Sequence, residues 1–356
     1  MKNIESYEKF KELHKNNPND IGIRHEFSSS ILNLLNDDQW EQPARALKRY
    51  KELKVISETN PKDNEVLKTR VIGASNLIGS LSTGSNPDIQ CALQLYKEMS
   101  VLSENSVDNV MVRAHLAAST ANLIPSIGIT YLAEAQQIYQ NLFQLRTSYP
   151  DEKIISTWLA EAAMNLISLT YENTLNVALK YYRDLTELTK QYSDVDDVIK
   201  TQSSAASMLF VKQLKSQNVT SAHKFFWDLR ESANTRLDIL DLRLLQLENA
   251  GLMILSLSKE QMNTAWDIYQ EAKKFTEKYS NRDDFRYFYA FTTLLLLNHF
   301  QKIGLEEVHE VYTDLKNFSA EFSEDSEVAE FTNTAKLIVE KKIEKFLTID
   351  DVIAWL

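Results

Sequence analysis

The stretch Ala92-Leu93-Gln94-Leu95-Tyr96-Lys97-Glu98-Met99-Ser100-Val101-Leu102 decides the fold, because copies of it return along the chain. Ala92, Leu95, Tyr96, Met99 and Leu102 fall at i, i+3, i+4, i+7 and i+10, one face of a helix, and Gln94, Lys97, Glu98 and Ser100 occupy the other. The pattern reads again as Ala46, Tyr50, Leu53, Ile56; Ala135, Ile138, Tyr139, Leu142; and Ala178, Tyr181, Tyr182, Leu185. It continues as Ala222, Phe225, Phe226, Leu229; Ala265, Ile268, Tyr269, Ala272; and Val308, Val311, Tyr312, Leu315. Successive lead residues lie 46, 43, 43, 44, 43 and 43 residues apart. So regular a spacing predicts stacked supersecondary units, each burying its apolar face against its neighbours.

Between the tyrosine helices runs a second helical pattern, clearest in Arg70-Val71-Ile72-Gly73-Ala74-Ser75-Asn76-Leu77-Ile78. Its small residues Ser30, Gly73, Ser119, Ala162 and Ala205 predict where neighbouring helices cross closely. Each unit is thus expected to be an antiparallel helix pair, small-residue helix first. Pro43, Pro61, Pro87, Pro125 and Pro150 are read as junctions. Tyr149, Tyr192, Tyr279 and Phe322, each fourteen residues after a lead position, are placed to cover the end of a tyrosine helix. One α-helical repeat domain over 1–356 follows: a half-repeat at 1–19, helix pairs over 20–325 and capping helices over 326–356. The last small-residue helix is expected from about Ser326 to Lys345. Thr348 with Asp351 resembles a capping box that opens a short apolar helix. That helix reads as a plug over the last repeat, or as a docking or homodimerisation segment ending in Trp355-Leu356.

Composition agrees with a helical array. Seven Gly and six Pro in 356 residues leave few breakers. A net charge of −11 disfavours nucleic acid and anionic membrane and favours a basic protein partner. Cys91 is the single cysteine, so no intramolecular disulfide or Cys-based zinc cluster can form. With no apolar leader at Met1–Lys9 and no apolar run of spanning length, the expectation is a soluble cytoplasmic chain with no membrane partner.

The small-residue helix, the second helix opening Ala-x-x-x-Tyr, and junctions such as Asn60-Pro61-Lys62-Asp63 together resemble the tetratricopeptide repeat over nearly the whole chain. The unit is longer than that repeat's ~34 residues, and its usual Trp-x-x-Leu-Gly opening is missing. The resemblance implies a right-handed superhelical solenoid whose concave surface, lined by the first helix of each unit, binds peptides or proteins.

Asn33, Asn76, Asn122 and Asn165 recur at spacings of 43, 46 and 43. An amide offers one donor group and one acceptor, the pair needed to clamp an extended backbone. The same side chains would equally satisfy a carbonyl on the neighbouring repeat. Arg70 and Arg113, earlier on two of these helices, would meet an acidic group of a ligand or lie in solvent. Glu52, Glu98, Asp184, Asp228, Glu271 and Asp314 each lie six residues after a lead position, with Asn141 breaking the row. They read as a solvated polar face or as a stripe for a basic ligand. The six histidines show no metal-ligand spacing, and there is no phosphate loop or nucleophile elbow. The expected function is therefore a non-enzymatic peptide- or protein-binding scaffold without cofactor or metal. The alternative is an acidic inhibitory or immunity-type partner of a basic protein, or a peptide-sensing regulator.

Overall fold

A computed structural model describes residues 2–84, 87–106, 108–303, 307–341 and 347–354. Among these it is all-α, with seventeen α-helices, two short 3-10 turns and no strand. The small-residue helices are α2 (Ile21–Asp38), α4 (Asn64–Thr83), α6 (Val110–Ile127), α8 (Lys153–Thr170), α10 (Asp196–Lys215), α12 (Leu240–Ser256), α14 (Asp283–Ile303) and α16 (Ser326–Val339). They alternate with the tyrosine helices α3 (Pro43–Thr59), α5 (Ile89–Asn105), α7 (Leu132–Ser148), α9 (Leu175–Gln191), α11 (Val219–Thr235), α13 (Met262–Lys278) and α15 (Val308–Glu321). α1 (Lys2–Asn16) and α17 (Ile349–Ile353) flank the series.

Two compact units share the chain, Met1–Val198 and Ile199–Leu356, the boundary falling within α10. In the first, α2 packs on α4, α4 on α6 and α6 on α8; in the second, α12 packs on α14 and α14 on α16. The small-residue helices α2, α4, α6, α8, α12 and α14 also pack on the tyrosine helix that follows each of them. Packing of each such helix on its sequence neighbours is what a repeat array requires. Small residues allow the close approach: a Cβ on Gly251 of α12 would come within 2.6 Å of Leu295 Cδ1 on α14. The lead alanines Ala46, Ala92, Ala135, Ala178, Ala222 and Ala265 are all 0% exposed, so any larger residue there would overpack the seam. Among the described residues no single helix is long and apolar enough to cross a membrane.

Helix ends follow the sequence. The side chains of Asp20, Asp63, Asp88, Asn109 and Asp325 accept a first-turn N–H, satisfying donors that the helix itself leaves open. Tyr149, Tyr192, Tyr279 and Phe322 are the C-cap residues of α7, α9, α13 and α15. Three expectations change. Pro125 is no junction but lies inside α6, near its end. α16 ends at Val339, and Lys345, its expected end, lies outside the described residues. α17 packs on α12, two small-residue helices back, not as a plug on the last repeat; Trp355 and Leu356 lie outside the described residues.

The acid row is neither a bare solvent face nor a free stripe. Tyr7 Oη donates to Glu52 Oε2 at 2.9 Å, Tyr50 Oη to Glu98 Oε2 at 3.3 Å and Tyr269 Oη to Asp314 Oδ2 at 3.0 Å. Tyr139 and Asp184, and Tyr96 and Asn141, the residue that breaks the row, stand at the same two positions and are close enough to interact. In these first three pairs the tyrosine hydroxyl thus donates to the lead-plus-six residue of the next repeat. A cation four residues after the aromatic adds a second contact: Lys54 Nζ to Glu98 at 3.0 Å and Lys273 Nζ to Asp314 at 2.7 Å. Phe226 has no hydroxyl to give, and Arg230 alone reaches Glu271 from that helix, at 2.7 Å. Burial pushes Tyr50 up to about 12, against the pull of Arg70, and pushes Tyr139 and Tyr269 further, so all three stay protonated donors.

Burial also raises the Asp184 carboxyl, against Lys180, Arg183 and the Tyr139 hydroxyl. The native state then binds more protons than the unfolded chain between the ordinary carboxylate value and the raised one, so this group's contribution falls as pH rises through that window. Removing the hydroxyl by Tyr139→Phe deepens the loss, because ionised Asp184 gives up a donor. Urea denaturation should show a cost of about 1 kcal/mol at pH 7 that shrinks as pH falls and Asp184 takes up its proton.

Candidate ligand-binding faces

Unit 1 leaves one strip of each small-residue helix uncovered. On α2 it is Gly22, Glu26, Ser29 and Asn33; on α4, Glu65, Thr69, Ile72 and Asn76. On α6 it is Met111, His115, Ala118 and Asn122; on α8, Ile154, Trp158, Glu161 and Asn165. Every set is spaced i, i+4, i+7, i+11, and no member of any set is fully buried. The recurring Asn is the last member each time. The half-exposed Ile72, Met111, His115 and Trp158 give the strip apolar body, and burial holds the His115 imidazole below its usual range. These neighbours were legible in the same spacing, counted back from each Asn.

The four amides divide. Asn33 and Asn122 are exposed, and neither side chain makes a hydrogen bond among the described residues. Asn76 Nδ2 donates to Asn36 Oδ1 on α2 at 2.9 Å, and Asn165 Nδ2 to the Ala121 carbonyl on α6 at 3.0 Å. The second bond has a specific cause. Pro125 lacks the N–H that would close the helical bond to Ala121, four residues back, and Asn165 supplies the missing donor from the next helix.

Arg70 and Arg113 are 4% and 3% exposed and face the seam between repeats, away from the strip. Arg113 Nε donates to both Glu152 oxygens, at 3.0 and 3.1 Å, and its guanidinium lies 3.9 Å from the Tyr149 ring centre. Arg70 pairs with Glu58 at 3.4 Å. Arg24 with Asp63 at 2.8 Å, and Arg286 with Asp325 at 3.1 Å, repeat the Arg113 arrangement. Each joins one small-residue helix to the residue that opens the next. Around Asp63, burial opposes ionisation, but Arg24, His25 and the Val66 N–H together hold the carboxyl below its usual range.

In unit 2 the strip ends differently. Leu252 on α12 and Leu295 on α14 stand at the offset of Asn33 and Asn122 from the recurring arginines, and both are 0% exposed. One turn beyond Leu295 lies Asn298, also 0% exposed. Its Nδ2 donates to the Leu347 carbonyl at 3.0 Å, and its Oδ1 accepts from the Leu347 N–H at 2.9 Å. This residue escaped the sequence reading because it is embedded in the apolar run Leu294–Phe300. A lone amide in such a run is itself the signal, since a buried polar group needs a dedicated partner.

Among the described residues, no three His, Cys, Asp or Glu side chains are grouped to hold a metal. Burial lowers His223 and His299 as it does His115, and Cys91 is pushed up by burial, the opposite of an activated thiol. No protein-family model matches the chain, and no curated protein matches it.

The proline and amide at α6 and α8 should behave as one unit. Asn165→Ala orphans the Ala121 carbonyl and should cost about 1–3 kcal/mol in urea denaturation. In a Pro125→Ala background the helix closes that bond itself, and the same change should cost under about 0.5 kcal/mol.

Proposed function

We infer that the chain is a non-enzymatic scaffold, a tetratricopeptide-like right-handed array of antiparallel helix pairs, that binds an extended peptide or protein segment along the small-residue helices of unit 1. The observation that carries this is Asn298. In unit 2 an asparagine on a small-residue helix already grips a backbone through both amide groups. Unit 1 presents Asn33 and Asn122 with those groups unused, beside Ile72, Met111, His115 and Trp158. A strip of backbone-reading amides and half-exposed apolar groups suits an extended segment whose main chain supplies affinity and whose alternate side chains supply specificity. Asn76 and Asn165 frame this face from their structural bonds, and Arg70 and Arg113 hold the seams beneath it. The alternative reading, an acidic inhibitor of a basic protein, keeps the net charge of −11 but draws nothing from the acid row at Glu52, Glu98, Glu271 and Asp314, which are matched within the chain.

Peptides selected from a displayed random library on the full chain provide the test. Asn33→Ala with Asn122→Ala should weaken a selected peptide at least ~10-fold, about 1.4 kcal/mol, by calorimetry. Helical content and melting temperature should not move, because neither side chain is bonded among the described residues. An unchanged affinity, or no peptide selected at all, rules this face out.

A further inference from the structure

The segment after α16 is seated as a ligand would be. Both bonds of Asn298 go to one residue, Leu347, and an N–H and C=O of one residue point to the same side only where the backbone is extended. Thr348 continues in the extended region, at φ −103° and ψ 166°, and then opens α17. Its Oγ1 accepts from the Asp351 N–H at 3.2 Å while Asp351 Oδ2 accepts from the Thr348 N–H at 2.9 Å. Val352, five residues after the clamped leucine, is 0% exposed, and α17 packs on α12. The segment therefore runs from α14 back to α12, across the row of small-residue helices. Leu252 and Leu295 replace asparagine on those same two helices, the change expected where a face is covered and not wet.

We propose that unit 2 carries a second peptide site, centred on Asn298, and that Leu347–Ile353 occupies it in cis, holding it against peptides of the same chemistry. That chemistry is an apolar residue in extended backbone, a Thr-x-x-Asp helix start directly after it, and a second apolar residue five positions on. A helix of five residues is far below the length that is stable alone, so α17 owes its form to α12 and gives it up on release. The proposal rests on the reading of unit 1 only in sharing its backbone-clamping amide; the residues are different.

The test uses the full chain and a fluorescent synthetic peptide spanning Leu347–Ala354, read by anisotropy. Val352→Asp places a charge in the apolar contact and should raise affinity for the added peptide at least ~10-fold over the unmodified chain. Thr348→Ala with Asp351→Ala should act in the same direction without touching a fully buried side chain, which keeps the test open if Val352→Asp disturbs folding. Adding Asn298→Ala to either should remove the gain. The proposal fails if folded releasing variants bind no better than the unmodified chain, or if Asn298→Ala leaves the gain intact. It fails also if the unmodified chain dimerises and Val352→Asp makes it monomeric, since a second copy's segment would then be the occupant. Asn33 and Asn122 are intact in every variant, so this result and the one on unit 1 can fail separately.

Discussion

A tyrosine hydroxyl reaching to an acid on the next repeat is the contact on which the stacking register depends. Apolar faces of Ala, Leu and Tyr tolerate a slip of one helical turn, because volume and pattern are nearly preserved. Tyr7–Glu52, Tyr50–Glu98 and Tyr269–Asp314 do not. A slipped stack would leave a buried hydroxyl without an acceptor and a half-buried carboxylate without a donor, each costing more than the bond contributes. The two departures keep the rule. Asn141 still stands against Tyr96, and Arg230 takes the place of the hydroxyl that Phe226 lacks. The arginine contacts Arg24–Asp63, Arg113–Glu152 and Arg286–Asp325 pin the small-residue helices in the same way, each at a helix start.

The helices, their alternation, the aromatic helix ends and the Thr348–Asp351 box were legible in the sequence, because 3.6-residue periodicity and capping chemistry are local. Which polar face a neighbouring repeat covers is not local. The acid row looked solvated because its partners lie on another helix 45 to 48 residues away, and Arg113 looked free because Glu152 is 39 residues on. The recurring Asn shows the same limit. Spacing placed all four at one offset on one strip, but only the packing separates Asn165, paired to a carbonyl that Pro125 leaves open, from Asn33 and Asn122, which bond nothing.

The two units use one helix pattern for opposite surfaces. In unit 1 the strip ends in amides and stays open; on α12 and α14 of unit 2 it ends in leucine and is buried there. The choice between them costs one side chain per repeat and leaves the lead alanines and the tyrosine contacts untouched. A repeat fold can in this way vary its surface without renegotiating its seams, since the helix pairs of each unit pack on their neighbours.

The Asn298–Leu347 pair also carries a timetable. The two residues are separated by 49 positions, and at ordinary rates of synthesis Leu347 leaves the ribosome about 2–10 s after Asn298. Over that interval the amide has no backbone to grip, so water must reach the end of α14 although α12 and α13 are already made. Tyr50 in unit 1 waits almost as long, 48 positions, for Glu98, but its acceptor comes with the next tyrosine helix, whereas the partner of Asn298 comes only after α15 and α16 have been made.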